Sequence, residues 1–210
     1  MVEIIPSINA PTFEEVKDRI SAIEPYASWC HLDVTDGMFS KHLTWHDPID
    51  LPLLDTKMNV EVHLMIEEPE KVIEQWLIRP IRRVIVHLEA SKDISFILEK
   101  CGEAGIECGL AIRPDTFWGK LVPWAEKVNF MQILAVDPGP SGQKMGSEIV
   151  DKIAHLRKSC PRCIIEVDGG IDPSTAKKAR AAGANILVSA GYIFSHPDKA
   201  QAIRDLNGSE

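Results

Sequence analysis

No apolar run in this chain approaches the ~20 residues that a helix needs to cross a membrane. A transmembrane helix is therefore not expected. A surplus of positive charge is also missing: the formal net charge is −8. That balance argues against nucleic acid or an anionic membrane surface as the main partner. It leaves room for a phosphorylated small molecule, because converging backbone N–H groups can hold a phosphate inside an acidic protein. The opening residues Met1-Val2-Glu3-Ile4-Ile5-Pro6 lack the basic-then-apolar pattern of a secretory signal, so a cytoplasmic location is expected. Cysteine is sparse, with five residues scattered along the chain. An odd, scattered set is expected to be reduced. Cys160-Pro161-Arg162-Cys163 has the spacing of half a zinc or redox site, but no second pair accompanies it. The pair is expected as two thiols in a connector. Nucleotide fingerprints are absent as well. No Gly-x-Gly-x-x-Gly follows the first strand-like run, and there is no Walker sequence.

What is present is an alternation. Short runs rich in Val and Ile predict strands at residues 3–8, 28–34, 59–65, 83–88, 107–111, 128–136, 164–167 and 186–188. Several are apolar almost throughout, as parallel strands buried on both faces require. Helical spacing with a charged face lies between them, at residues 67–76, 93–104, 147–159 and 173–182. Thr12-Phe13-Glu14-Glu15 reads as a capping box, and Asp172-Pro173 as a helix start. The long stretch 38–57 lacks periodicity and is expected to be functional or to carry a short helix. Strands alternating with helices fit either an open doubly wound sheet or a closed barrel. Eight strands without a nucleotide fingerprint favour the barrel. The expected fold is α/β, a (β/α)8 TIM barrel, as one domain over residues 1–210.

The polar residues that break the core pattern gather at the C-terminal ends of the strands, where such barrels build their sites. His31 and Asp33 are two apart on one strand and share its inward face. His63 ends the next strand, and Asp168 ends the seventh. Taken singly, each histidine could be a hydrogen-bonded interior residue and each aspartate a helix cap. Together the four suit one borderline divalent ion: Zn, Fe, Mn or Co. A second set is glycine-rich. Gly139, Ser141 and Gly142 follow strand six, Gly169 and Gly170 strand seven, and Gly191 strand eight. Such loops let the backbone close on phosphate oxygens. His87 and Glu89 are expected to hydrogen-bond behind the site, and Asp36 to order its loop with Gly37. Gln143 and Lys144 are further candidates for the phosphate.

At these residues the sequence resembles the ribulose-phosphate 3-epimerase family, over nearly its whole length. The stretches that carry the resemblance are Pro6-Ser7-Ile8, His31-Leu32-Asp33-Val34-Thr35-Asp36-Gly37, Val62-His63-Leu64-Met65, Val86-His87-Leu88-Glu89-Ala90, Pro138-Gly139 with Gly142-Gln143-Lys144, and Glu166-Val167-Asp168-Gly169-Gly170-Ile171. The resemblance implies one divalent metal held by His31, Asp33, His63 and Asp168. It implies Asp33 and Asp168 as the acid–base pair that inverts C3 of D-ribulose 5-phosphate. Ser7 and His63 would lie beside the sugar, with Ser141, Gly142, Gly169, Gly170 and Gly191 around its phosphate. It also implies a homo-oligomer, a dimer or larger. The chain departs from the family pattern at its phosphate end. Pro140-Ser141 stands for Phe-Gly after strand six, and Ala190-Gly191 for Gly-Ser after strand eight. Another ketose phosphate, such as allulose 6-phosphate, is thus an alternative substrate. A phosphosugar-binding barrel without turnover is a second alternative. A decarboxylase or aldol-type barrel would be expected to place a lysine at a strand end, and the metal-site strands carry none.

Overall fold

The computed structural model describes residues 2–208. Eight parallel strands close into a barrel in sequence order. They are β1 (Glu3–Ile8), β2 (Trp29–Thr35), β3 (Asn59–Met65), β4 (Ile81–His87), β5 (Glu107–Ile112), β6 (Phe130–Leu134), β7 (Ile164–Asp168) and β8 (Ile186–Ser189). The expected barrel and its strands are borne out, with ends moved by a few residues. The helices are α1 (Phe13–Ile23), α2 (Ile73–Trp76), α3 (Ile94–Ala104), α4 (Ile149–Ser159), α5 (Pro173–Ala182), α6 (Gly191–Ser195) and α7 (Lys199–Asn207). None among the described residues is long and apolar enough to cross a membrane.

Alternation on each strand sorts the side chains into two compartments. Outward residues such as Leu32, Val34, Val62 and Leu64 are buried in the main core, between strands and helices. Each such burial contributes roughly 1.5–3 kcal/mol. Inward residues fill the barrel. At its base, Ile5, Ile85, Ala111, Phe130, Ile186 and Val188 form a separate apolar plug. Most inward polar side chains stand toward the C-terminal strand ends, while Arg83 and Glu107 reach down beside the plug.

Three local expectations are corrected. The helix expected over 67–76 breaks into a 3-10 turn, Pro69–Lys71, and the single turn α2. Glu68 takes φ 50° just before Pro69, which no continuous helix accommodates. Thr12 Oγ1 does accept the Glu15 N–H at 3.3 Å. Glu15's carboxylate, however, pairs with Arg19 instead of completing the box. The full capping box forms at Asp172 and Thr175, at the start of α5. Cys160 and Cys163 form a disulfide, not two thiols. The turn after α4 sets their Cα atoms 5.5 Å apart, within bridging range. Arg157 gathers the carbonyls of Cys160, Pro161 and Cys163 around that turn.

The stretch after β2 carries the short helix expected of it, a 3-10 helix at Pro48–Leu53. Asp36 orders its loop: Oδ1 accepts from Met38 N at 2.8 Å and Phe39 N at 3.0 Å, and Oδ2 from Glu67 N at 2.9 Å. The loop after β5 is pinned by Lys152 of α4, whose ammonium donates to the carbonyls of Arg113, Pro114 and Thr116. Trp45 and Trp76 pack in the main core as an edge-to-face pair.

Candidate metal and phosphosugar site

The register of β2 against β3 places Asp33 beside His63 and His31 beside Glu61. That of β6 against β7 puts Asp168 level with Leu134. His31, Asp33, His63 and Asp168 therefore converge inside the barrel. Each offers one donor atom, and these atoms lie within 4.8 Å of one another. His31 Nε2 is 3.3 Å from Asp33 Oδ1 and 3.8 Å from Asp168 Oδ2. His63 Nδ1 is 3.4 Å from each of those oxygens. His31 Nε2, His63 Nδ1 and Asp33 Oδ1 are buried without a hydrogen-bond partner. Buried polar atoms are almost always satisfied, so three orphans aimed at one point mark a place for a cation. Two imidazoles and two carboxylates fit a borderline divalent ion.

The electrostatics agree with that reading. Burial opposes charge on His31, but Asp168, Asp33 and Glu61 outweigh it and raise its pKa well above the imidazole range. Burial likewise opposes a charged His63, while Asp168 and Asp33 prevail and raise it. Burial works against ionised Asp33, yet both imidazoles hold its carboxyl far below the usual range. The cluster thus attracts positive charge, as protons or as metal.

Above it opens a cavity of about 660 Å³. Ser7, Asp33, Ser141, Gly142, Asp168 and Gly169 are on its wall, together with Gly170 and Gly191. Ser7 Oγ donates to Asp33 Oδ2 at 2.6 Å, which leaves Oδ1 free to face the cluster. His31 and His63 are not on the wall; both are fully buried beneath it. The glycine loops meet one another around the cavity rim. Gly142 and Gly169 take φ 88° and 102°. A Cβ on Gly191 would lie 3.4 Å from the Gly142 Cα. Gln143 closes its own loop, donating to the carbonyls of Asp137 and Pro140. Lys144 is an exposed side chain on the same wall.

Gly170 shows how tightly the rim is built. It sits at φ 65°, and a Cβ there would fall 2.3 Å from the backbone nitrogen of Met145. Gly170→Ala is expected to cost about 2 kcal/mol or more, roughly 1–2 kcal/mol of it from the left-handed backbone and the rest from the collision. Thermal unfolding should show this as a Tm lower by roughly 4–8 °C. An unchanged Tm would mean that the two loops do not touch as described.

Sequence reasoning passed over a polar layer directly below the four residues. His31 Nδ1 lies 2.8 Å from Glu61 Oε1, and Arg83 pairs with the other Glu61 oxygen. Gln132 Nε2 donates to Glu166 Oε1 at 3.1 Å. Burial, then the neighbouring Glu61, raise the Glu166 pKa well above the ordinary carboxylate value. The signal was there: Glu61 precedes His63 by two residues, as Glu166 precedes Asp168, on the same inward faces. Asn9 and His42 were also missed. His42 Nε2 is 2.9 Å from Asn9 Oδ1, and Asn9 donates to the Gly139 carbonyl at the cavity wall. His87 and Glu89 do sit behind the site, with His87 Nε2 2.8 Å from His63 Nε2. Burial pushes the His87 pKa down to about 4 against the pull of Glu89.

Known proteins resemble this chain along nearly its whole length. A family model described as the ribulose-phosphate 3 epimerase family matches residues 3–194. A ribulose-phosphate 3-epimerase of Schizosaccharomyces pombe is 31% identical, covering 99% of this chain and 93% of its own. One from Synechocystis is 33% identical over 100% of this chain and 94% of its own. Among solved structures, the 3-hexulose-6-phosphate synthase of Salmonella typhimurium superposes with a TM-score of 0.72. It covers 99% of this chain and 98% of its own at 14% identity, a likeness of fold alone. With its barrel, its buried His and Asp cluster and full-length relatives of this kind, the chain belongs to the ribulose-phosphate 3-epimerase family.

Proposed function

We propose that the chain is an isomerase interconverting D-ribulose 5-phosphate and D-xylulose 5-phosphate by proton transfer at C3. One observation carries this reading: two carboxylates, Asp33 and Asp168, converge on a single point at the floor of a phosphosugar-sized cavity. They come from strands three places apart around the ring, by way of β1 and β8. Inversion of a carbon needs a proton taken from one face and another returned to the opposite face. Two separately anchored carboxylates can serve those two faces.

His31, Asp33, His63 and Asp168 would hold the divalent ion. When bound, it supplies Lewis acidity for the negative charge that develops on the sugar's oxygens during enolisation. The rest falls to the chain. One aspartate removes the C3 proton to leave an enediolate, and the other protonates the opposite face. Ser7 restrains Asp33 through its hydrogen bond, so that one oxygen remains directed at the site. The buried floor excludes water on its lower side. The backbone of Ser141, Gly142, Gly169, Gly170 and Gly191 would receive the phosphate. Exposed Met38, Leu43, Ile49 and Leu53 suit a homo-oligomer, a dimer or larger.

Proton NMR in D2O tests the reaction. Metal-loaded protein with ribulose 5-phosphate should yield xylulose 5-phosphate with deuterium at C3. A second reading, the same chemistry on allulose 6-phosphate, draws on the small residues Ala190 and Gly191 at the rim. It gains if the six-carbon sugar is converted and the five-carbon sugar is not. Binding without any wash-in of deuterium would point to a phosphosugar binder and sink both.

A further inference from the structure

His31 and His63 approach the common point through different ring nitrogens. His31 presents Nε2, and His63 presents Nδ1. What stands behind each ring assigns its tautomer. Glu61 Oε1 lies 2.8 Å from His31 Nδ1, and an ionised carboxylate can only accept. The second Glu61 oxygen is taken by the Arg83 guanidinium. Arg83 is itself fixed: Nε donates to Glu107 Oε2 at 2.7 Å, and its plane lies over the rings of Phe130 and Trp29 at 3.9 and 4.5 Å. The proton of a neutral His31 therefore sits on Nδ1, and Nε2 is bare.

The second imidazole is held by a longer chain. His63 Nε2 and His87 Nε2 are 2.8 Å apart, so one of them must donate. His87 Nδ1 faces Glu89 Oε2 at 3.2 Å, which claims the His87 proton on that side. His87 Nε2 is then the acceptor, and a neutral His63 carries its proton on Nε2. Its Nδ1 is left bare toward Asp33 and Asp168. Phe39 packs on the His87 ring at 4.7 Å between centroids. Glu89 Oε1 is anchored by the Arg113 N–H at 2.9 Å.

We propose that Glu61 held by Arg83, and His87 held by Glu89, are positioning residues that lock His31 and His63 in opposite tautomers. Each ring then offers a bare nitrogen to the same ion. This deepens the metal reading above and rests on it. His31, Glu61 and Glu166 also come close enough together to suggest a second ion. The guanidinium of Arg83 on Glu61 supplies the positive charge there already, so that group serves as support.

The experiment is Zn2+ affinity by chelator competition, for the wild type, the Glu61→Leu/Arg83→Met double variant and His87→Phe. The double variant removes both charges together, so no lone charge is left inside. Loss of a group that orients a metal-bound histidine typically weakens binding about 10–100-fold, and each variant is expected to fall in that range. Long-range 1H–15N spectra of Zn2+-loaded wild type, labelled at histidine, give a second readout that needs no variant to fold. They should show His31 protonated on Nδ1 and His63 on Nε2. Equal affinities in wild type and variants, or either tautomer reversed, overturn the locks. A wild type that takes up no Zn2+ overturns the metal reading and the locks together. A wild type that binds Zn2+ and loses affinity in both variants, yet leaves ribulose 5-phosphate unchanged, sinks only the proposed reaction.

Discussion

Asp168→Asn is expected to lose about 10²–10⁴-fold in kcat, and Asp33→Asn a comparable amount, the usual range for a positioned acid or base. The amide keeps the size of the side chain and a metal-facing oxygen. It can neither accept the C3 proton nor return one. The assay should be run at saturating divalent ion, so that weakened metal binding is not counted as lost proton transfer. A two-carboxylate reaction also predicts a pattern in the isotope. With one aspartate gone, the other still serves its own face. Each variant should therefore exchange the C3 proton of one epimer with solvent deuterium while converting neither. The two variants should differ in which epimer they label. Near-wild-type turnover in either would sink the assignment. Identical labelling by both would favour a single base that serves the two faces.

Arg83→Met is expected to destabilise the protein by about 3–5 kcal/mol, a large share of the stability of most domains. The reason is what it leaves behind. Glu61 is fully buried, and Arg83 beside it is nearly so. Burial works against the Glu61 charge, while His31 and Arg83 together keep its pKa below the ordinary value. Without the guanidinium the carboxylate stays inside the barrel with one partner fewer, beside a second buried carboxyl, Glu166. The Glu61→Leu/Arg83→Met double variant should recover most of the loss, since replacing a buried ion pair with apolar groups is often neutral or better. Urea unfolding of all three metal-free proteins reads the difference directly. A single variant within about 1 kcal/mol of wild type, the scale of an exposed ion pair, would show that the pair is not sealed from solvent.

The barrel was legible because parallel strands buried on both faces leave short continuous apolar runs such as Val84-Ile85-Val86. The four residues of the metal cluster were legible for a related reason. Their period of two on a strand fixes the face, and their place at strand ends fixes the side of the barrel. The support beneath them was not. Arg83 on β4 and Glu61 on β3 are unremarkable charges until the register sets them opposite one another. Reading the His63 tautomer likewise needs the 2.8 Å contact with His87, which no spacing in the sequence encodes. The break at Glu68 escaped notice because helical periodicity runs on through residues 67–76. Propensity there is overridden by how the chain must turn to reach β4. The Cys160–Cys163 bridge depended on a turn shaped by Arg157, a residue that composition alone would leave on the surface.

The way the base is closed makes the cavity mouth the main door for protons. Below the two carboxylates, Ile5, Ile85, Phe130 and their neighbours are apolar, and the polar contacts that do run downward, from His31 through Glu61 to Arg83 and Glu107, pass through a guanidinium that does not give up its proton. Hydrogens that trade places with solvent then pass mainly through the cavity mouth. A phosphosugar seated there would stop that traffic, and the carboxylates would be left with whatever isotope they already held. In D2O, the fraction of product that keeps its original hydrogen then becomes a clock. It compares the rate at which the site hands a proton across the sugar with the rate at which the mouth reopens.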